Sequence, residues 1–122
     1  MAPAKNAALI ATCVLARPAA GGCGWCGMPL PDGRRTWCRG ACSTRFWNNH
    51  WWPRARRAVR RRDKYRCVSC GKAGKLEVNH RIPCRGAHGM LSCAHHLDNL
   101  ETLCVPCHRA HTSTITRAHR VK

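Results

Sequence analysis

The sequence predicts a small α+β chain whose fold depends on cross-links between cysteines rather than on a large apolar core. The chain has 122 residues, so it forms one domain or two very small ones. A chain of this length that is rich in Gly, Pro and Arg buries too little apolar surface to be stable by burial alone. Its eleven cysteines offer the missing stabilisation.

The cysteine spacing favours metal ligation over disulfide bonds. Eight of the eleven cysteines fall in Cys-x2-Cys or Cys-x3-Cys pairs, which is the spacing of zinc ligands. Disulfide frameworks belong mainly to secreted chains. A redox dithiol at the last pair would need a thioredoxin-like alternation of strands and helices, for which the chain is too short. We therefore predict two structural zinc ions in tetrahedral sites. The first set of ligands is Cys23, Cys26, Cys38 and Cys42, and the second is Cys67, Cys70, Cys104 and Cys107.

The first 21 residues are expected to form a flexible N-terminal tail, either without assigned structure or partly helical. An apolar run over residues 7–16 behind Lys5 is similar to a weak signal peptide, but Arg17 and Pro18 interrupt its end. The run is also too short to span a bilayer. Because many zinc thiolates suit a reducing compartment, we expect a cytoplasmic protein with no membrane partner, and the compact architecture favours a bacterial or phage source.

Turn residues and apolar spacing predict the elements that follow. Residues 22–50 form a finger-like segment, with a Gly-containing knuckle at its start and a helix over residues 41–49. Residues 51–66 form a helical connector, in which Pro53 precedes a helix over residues 54–62 with Ala55, Ala58 and Val59 on its apolar side. Residues 67–122 form a second unit with strands at 76–80 and 100–104, a long loop at 84–97, and a helix that starts at Pro106 and runs to about residue 112.

The charge balance indicates a polyanionic partner. The chain has 22 Lys and Arg against 5 Asp and Glu, a formal net charge of +17, which favours nucleic acid. An anionic membrane is the alternative, but no basic helix here shows the broad apolar face that it requires. The connector places eight basic residues in thirteen positions, a density that favours phosphate contact over a merely solvated face. The residues expected to bind nucleic acid are Arg54, Arg57, Arg60, Arg61, Arg81 and Arg109. We expect Trp47, Trp51 and Trp52 to lie in the core rather than to stack on bases.

Residues 57–112 resemble the HNH endonuclease family of ββα-metal (His-Me finger) nucleases. The matching motifs are Arg62-Asp63, Cys67-x2-Cys70-Gly71, Val78-Asn79-His80-Arg81-Ile82-Pro83, Leu97-Asp98-Asn99-Leu100 and Leu103-Cys104-x2-Cys107-His108. The resemblance implies a ββα-metal HNH nuclease unit over residues 67–122. The segment around Trp37 to Cys42 with Phe46 is similar to treble-clef or MYM-like zinc fingers, so a finger and a basic helix would precede the nuclease unit.

The family resemblance also implies roles for individual residues. His80 would be the general base that takes a proton from the attacking water, and Asn99 would orient it. His108 and Asn79 would bind a catalytic divalent ion, Mg²⁺ or Mn²⁺, distinct from the structural zinc. The substrate would be DNA, with RNA as the alternative, and the products a 5′ phosphate and a 3′ hydroxyl.

Two positions depart from the family pattern. Asn79 stands where the family often carries Asp; it brings no negative charge and should weaken the hold on a hard cation. His111 stands where many relatives have Lys, and it shares a helix face with His108. The main alternative is therefore a zinc-finger nucleic-acid-binding protein without catalysis. A zinc nucleobase deaminase is disfavoured because His80 is not followed by the Glu of its His-x-Glu motif.

The remaining Cys and His residues have weaker interpretations. The long loop carries a set that could build a third metal site, although an ordinary polar loop is the simpler interpretation. That set is His88, His95, His96, Cys84 and Cys93. Cys13 has no predicted partner, and His50 and His119 are expected at the surface.

Overall fold

The structure is a computed structural model that describes residues 4–121, and the side chains of residues 8–113 within that range. The helices are α1 (Ala4–Thr12), α2 (Gly40–His50), α3 (Trp52–Arg62) and α4 (Val105–Val121), and the strands are β1 (Leu76–His80) and β2 (Leu100–Cys104). Between the strands lie three 3₁₀ turns, at Ala87–Gly89, Cys93–His95 and Leu97–Asn99. This is the order strand, loop, strand, helix that the sequence predicts.

Phe46 of α2 is at the centre of the first apolar cluster. Its side chain is fully buried, and its ring lies 5.0 Å from that of Trp37 and 5.1 Å from that of Trp47. Aromatic pairs at such distances add to the free energy of burial. The other buried members of this cluster are Ile10, Cys23, Trp25 and Cys42. The cluster therefore combines the first cysteine set with the aromatic residues of the finger-like segment.

The N-terminal segment differs from the flexible tail expected for residues 1–21. Over its described part it forms α1, and Ile10 packs into the first cluster with 6% of its surface exposed. The backbone N–H of Arg17 donates to the Trp25 carbonyl at 2.7 Å. Gly27 is needed beside this contact, since its φ is +79° and a Cβ there would lie 2.5 Å from the Arg17 carbonyl oxygen. The apolar run is buried because the finger offers it a partner surface.

Helix α3 joins the finger-like segment to the sheet. One residue, Trp51, lies between the end of α2 and the start of α3. Pro53 is in the first turn of α3, where a backbone N–H has no partner within the helix. Ala55 and Val59 are fully buried and pack with Val78 of β1 and Leu100 of β2. The apolar side predicted for the connector is confirmed at these two positions.

The sheet is a single antiparallel pair within the described residues. β1 and β2 pair in register from Leu76 opposite Cys104 to His80 opposite Leu100. Helix α4 starts directly after β2 and extends to Val121, beyond the end near residue 112 that the sequence predicts. The prediction of a small α+β chain is confirmed. No helix in the described part of the chain is long and apolar enough to cross a membrane.

Candidate active site and metal centres

The second cysteine set is assembled around the base of the hairpin. Its ligands come from the knuckle before β1, the last residue of β2 and the first turn of α4, and their sulfur atoms all lie within 4.8 Å of one another. The Cys70 and Cys104 sulfurs are 3.6 Å apart, close to the separation of about 3.8 Å around tetrahedral zinc. This donor set fits a structural zinc ion.

Backbone amides favour the thiolate form of Cys67 in this set. The N–H of Cys70 donates to the Cys67 sulfur at 3.4 Å. Although burial raises the pKa of Cys67, hydrogen bonds from the backbone of Cys104, Cys70 and Ser69 outweigh it and lower the pKa to about 6. A thiolate is the form that binds zinc, so Cys67 is favoured as a ligand, whereas a hydrogen bond with the Cys104 side chain raises the pKa of Cys107 to about 12.

The first cysteine set has the same features. Sulfur separations are 3.5 Å between Cys26 and Cys38 and 3.7 Å between Cys38 and Cys42. Burial raises the pKa of Cys23, but backbone hydrogen bonds from Cys26, Cys38 and Trp25 lower it to about 6. The structure thus brings together both of the predicted four-cysteine sets, and each fits zinc.

His80 lies at the end of β1 in a buried group of rings. It is 8% exposed, and the ring of Trp52 stacks on it with a centroid separation of 4.7 Å and an interplanar angle of 22°. Trp52 therefore packs against the predicted base. Trp51, also expected in the core, is 45% exposed, so that prediction is wrong.

A chain of hydrogen bonds fixes the tautomer of His80. His95 Nε2 lies 3.0 Å from the Ala87 carbonyl oxygen and must donate to it, which leaves His95 Nδ1 as an acceptor. His80 Nε2 lies 2.9 Å from that nitrogen and therefore donates to it. The lone pair of neutral His80 is thus on Nδ1. Burial, with the charges of His95 and His88 when protonated, lowers the pKa of His80 to about 4, so the ring is neutral near pH 7.

Asn99 acts on the backbone around His80 rather than on its ring. Its side-chain Oδ1 accepts from the Ile82 N–H at 3.0 Å, and its Nδ2 donates to the carbonyls of Ile82 and Ala94 at 3.1 and 2.8 Å. The Asn99 carbonyl also accepts from the Arg81 N–H at 2.8 Å. Asn99 therefore holds the segment after β1 against the turn that carries His95.

His80 and the predicted metal ligands line one cleft of about 330 Å³, formed by β1, the long loop and the first turns of α4. Asn79 is 5% exposed, and its Nδ2 lies 3.1 Å from His111 Nδ1. His108 Nδ1 lies 2.9 Å from a carboxylate oxygen of Glu77. The structure thus brings together Asn79, His80 and His108, while Asn99 supports the cleft from behind.

Sequence reasoning missed Glu77 as a residue of the cleft, and it assigned His95 to a possible loop metal site rather than to a contact with His80. Glu77 accepts from Nδ1–H of His108, so the lone pair of His108 lies on Nε2. A carboxylate behind a histidine is a common arrangement at metal sites, because it fixes the ring and increases its basicity. Glu77 lies two residues before Asn79 on the same strand face, which was the one signal in the sequence.

Arg57 and Arg61 are exposed on the outer face of α3. They line a shallow groove of about 290 Å³ with Thr44 and Asn48 of α2. Arg54 lines it too, but its Nε donates to Asn48 Oδ1 at 3.1 Å. The groove presents positive charge without a carboxylate among its lining residues.

The other arginines predicted to bind nucleic acid differ in their exposure and in their contacts within the protein. Arg60 donates to the Leu76 carbonyl at 3.2 Å, and Arg81 forms an ion pair with Glu101 at 3.0 Å. Arg109 is exposed on α4. Arg60 therefore has a structural contact, whereas Arg81 and Arg109 lie at the protein surface.

The long loop does not gather its histidines into one metal site. Cys93 and His96 lie one 3₁₀ turn apart and face one way, because that helix has three residues per turn. His95 faces the other way, toward His80, and Cys84 lies 3.6 Å from His88. The set proposed from the sequence is therefore divided between two places.

His50 is fully buried, so its predicted place at the surface is wrong. Its Nε2 lies 3.3 Å from the sulfur of Cys13. Cys13 is 6% exposed, and it contacts His50 although no partner was predicted for it. The ring is buried because it extends from the last turn of α2 to contact Cys13 after α1 and His96 of the loop. The side chain of His119 lies outside the described residues.

Comparison with known proteins finds a similar phage protein. The chain is 37% identical over 79 residues to a protein of Lactococcus phage SK1 named "Probable HNH endonuclease", and the alignment covers 62% of this chain and 84% of the phage protein. No family model matches the chain, and no solved structure matches it. The extent of this similarity shows that the chain belongs to the HNH endonuclease family.

Proposed function

We propose that this protein is a metal-dependent endonuclease that hydrolyses DNA phosphodiester bonds with His80 as the general base. The observation that carries the proposal is the tautomer chain from the Ala87 carbonyl through His95, which leaves Nδ1 of a neutral His80 as the proton acceptor beside the cleft. A neutral imidazole is the form that can take a proton from water. Stacking of Trp52 holds the ring in place.

The cleft also contains groups that fit a catalytic divalent ion. Asn79 would offer its side-chain oxygen, and His108 its Nε2, with Glu77 fixing the His108 ring. A divalent ion held there would supply Lewis-acid stabilisation of the charge on the scissile phosphate and the leaving oxygen. An amide oxygen with imidazole nitrogen suits Mn²⁺ better than Mg²⁺, which prefers carboxylates and water.

The proposal extends to the architecture. β1, β2 and α4 would form the ββα-metal unit, with the second cysteine set as a structural zinc site at its base. Residues 22–50 would form a treble-clef-like finger around the first set. The basic groove of α2 and α3, with Arg57 and Arg61, would contact the DNA backbone, as phosphate contacts supply affinity without base readout.

The test is cleavage of a supercoiled plasmid in Mg²⁺ and in Mn²⁺ by the parent, His80→Ala and His108→Ala. We expect cleavage by the parent and a loss of about a hundredfold or more in His80→Ala, as is typical for removal of a general base. His108→Ala should need a higher metal concentration for half-maximal cleavage. Circular dichroism and zinc content matching the parent would show that the variants are folded.

Two outcomes would contradict the proposal. A parent that binds DNA but cleaves none in either metal between pH 6 and about 9 would favour the alternative, a nucleic-acid-binding protein without catalysis. Equal cleavage by the parent and His80→Ala would mean that another group is the base.

A further inference from the structure

Four residues that are far apart in the sequence meet beside the first apolar cluster. Cys13 follows α1, His50 ends α2, and Cys93 and His96 lie on the loop before β2. Their sulfur and nitrogen atoms all lie within 4.8 Å of one another. Neither cysteine belongs to the two sets described above.

The separations match a tetrahedral metal site. Cys13 Sγ lies 3.3 Å from His50 Nε2 and 3.4 Å from His96 Nε2, and the two nitrogens are 3.2 Å apart. Around tetrahedral zinc with ordinary bond lengths, sulfur and nitrogen are about 3.5 Å apart and two nitrogens about 3.3 Å. The three atoms thus form one face of a tetrahedron.

Hydrogen bonds alone do not account for this triangle. His50 Nδ1 lies 2.8 Å from the Phe46 carbonyl oxygen and must donate to it, so His50 Nε2 carries a single lone pair and no proton. That one lone pair faces both Cys13 and His96, and it can accept only one well-aligned hydrogen bond. A cation at the centre would satisfy all of these atoms at once.

The surroundings favour a permanent metal over an exchangeable one. Cys13, His50 and His96 are at most 7% exposed. The Phe46 carbonyl fixes the tautomer and orientation of His50, as partners of metal-binding histidines commonly do. Two thiols and two imidazoles form the Cys₂His₂ donor set of structural zinc sites.

We propose that Cys13, His50, Cys93 and His96 bind a third structural zinc ion, which ties α1 and α2 to the loop between the strands. This site is separate from both four-cysteine sets and from the cleft.

The proposed site also bears on His80. Cys93 and His96 flank His95, whose Nδ1 accepts the hydrogen bond from His80. A metal bound on one side of this turn would hold His95 in position on the other. Its effect on cleavage rests on the proposed function, but the binding of zinc does not.

Native mass spectrometry of the full-length protein tests the proposal, after gel filtration in metal-free buffer to remove weakly held ions. We expect three zinc ions in the parent and two in Cys93→Ser, which keeps the size of the side chain but removes a thiolate. Two controls should keep three. Cys84→Ser removes a member of a separate group, His80, Cys84 and His88, that could also hold a metal, and His108→Ala removes a proposed ligand of the catalytic ion.

Several outcomes would overturn the proposal. One is a count of two zinc ions in both the parent and Cys93→Ser. Another is loss of the third ion in Cys84→Ser or His108→Ala instead. A third is a parent whose mass is lower by two hydrogens because Cys13 and Cys93 form a disulfide. If Cys93→Ser loses all its zinc, X-ray absorption at the zinc edge of the parent decides. Nitrogen ligands, with three ions retained in Cys84→Ser and His108→Ala, would support the site, and sulfur ligands alone would exclude it. Because no DNA is used, failure here is distinct from failure of the proposed nuclease activity.

Discussion

Asp63 shows how one short motif joins three elements. Its carboxylate accepts from the Thr102 N–H of β2 at 3.0 Å and pairs with Arg62 at 2.9 Å. Arg62 in turn donates to the carbonyls of Leu97 and Leu100, each at 2.7 Å. The Arg62-Asp63 pair recognised in the sequence therefore fixes the end of α3 to β2, the strand that pairs with β1 and its His80.

Asp63→Asn should destabilise the protein by about 1–3 kcal/mol, because it leaves a mostly buried hydrogen-bond site poorly matched and removes the charge facing Arg62. Burial raises the pKa of Asp63, but the hydrogen bonds from Arg62 and Thr102 and the Arg62 charge outweigh it, so the pKa lies below its ordinary value. The stabilisation is then fully present above the unfolded value of 3.8 and is lost as the pH falls through the lower folded value. Urea unfolding should show a constant difference between parent and variant from pH 5 to about 8. A difference that shrinks within that range would contradict this assignment.

Asn79→Asp should lower the Mg²⁺ concentration needed for half-maximal cleavage, because a carboxylate is a stronger ligand for a hard cation than an amide oxygen. We expect a shift of about tenfold for Mg²⁺ and a smaller one for Mn²⁺. Without metal the variant should be less stable than the parent, since Glu101 Oε1 lies 3.5 Å from Asn79 Nδ2 and would face a like charge. An unchanged Mg²⁺ dependence would argue against Asn79 as a ligand.

At the scale of elements, local pattern predicts the strands better than the N-terminal segment. β1 and β2 have the predicted bounds because turn residues flank a short alternating or apolar run at each place. Helices α2 and α3 agree within two residues. The bounds and packing of α1 were not predicted, because Ile10 packs with the distant Trp25 and Phe46, a contact that no local pattern shows.

The same limit applies to the sites. His80, Asn99 and His108 could be proposed as site residues from the sequence because family motifs surround them. Glu77 and His108 lie 31 residues apart, and Cys13 and His50 lie 37 apart, so their pairing depends on the tertiary fold. The two four-cysteine sets were predictable because each half of a set is a short-range pair.

The contact of α3 with the sheet is the structural link between the basic helix and the cleft. Val59→Ala should cost about 2 kcal/mol, since the side chain is fully buried against Val78 and Leu100 and its loss leaves a cavity. The matched control Val68→Ala, at a side chain that is 50% exposed, should change stability by less than about 0.5 kcal/mol. Thermal unfolding of the zinc-loaded proteins measures both, and equal effects would mean that α3 is not anchored through Val59.

For the whole molecule, the metal sites and the positive charge act together. The net charge is +17, and its positive side chains repel one another within a small fold. The compact state therefore depends on strong cross-links. The two four-cysteine sets lie in the finger-like segment and at the base of the hairpin, and each brings together cysteines that are apart in the sequence. Metal ions bound at these sets would add cross-links that offset the repulsion, so that the surface could keep a charge suited to a polyanion.

The salt dependence of DNA binding should distinguish arginines that bind phosphate from those that hold the fold. The double variant Arg57→Gln/Arg61→Gln removes two exposed charges from the groove on α2 and α3, so the slope of log affinity against log salt should become shallower by about 2. Arg62→Gln is the matched contrast, because Arg62 holds Asp63 and the Leu97 and Leu100 carbonyls. It should lower the unfolding temperature and change the slope by less than about 1. Fluorescence anisotropy with a duplex oligonucleotide at several salt concentrations measures the slopes. An unchanged slope in the double variant would place the DNA on another face of the molecule.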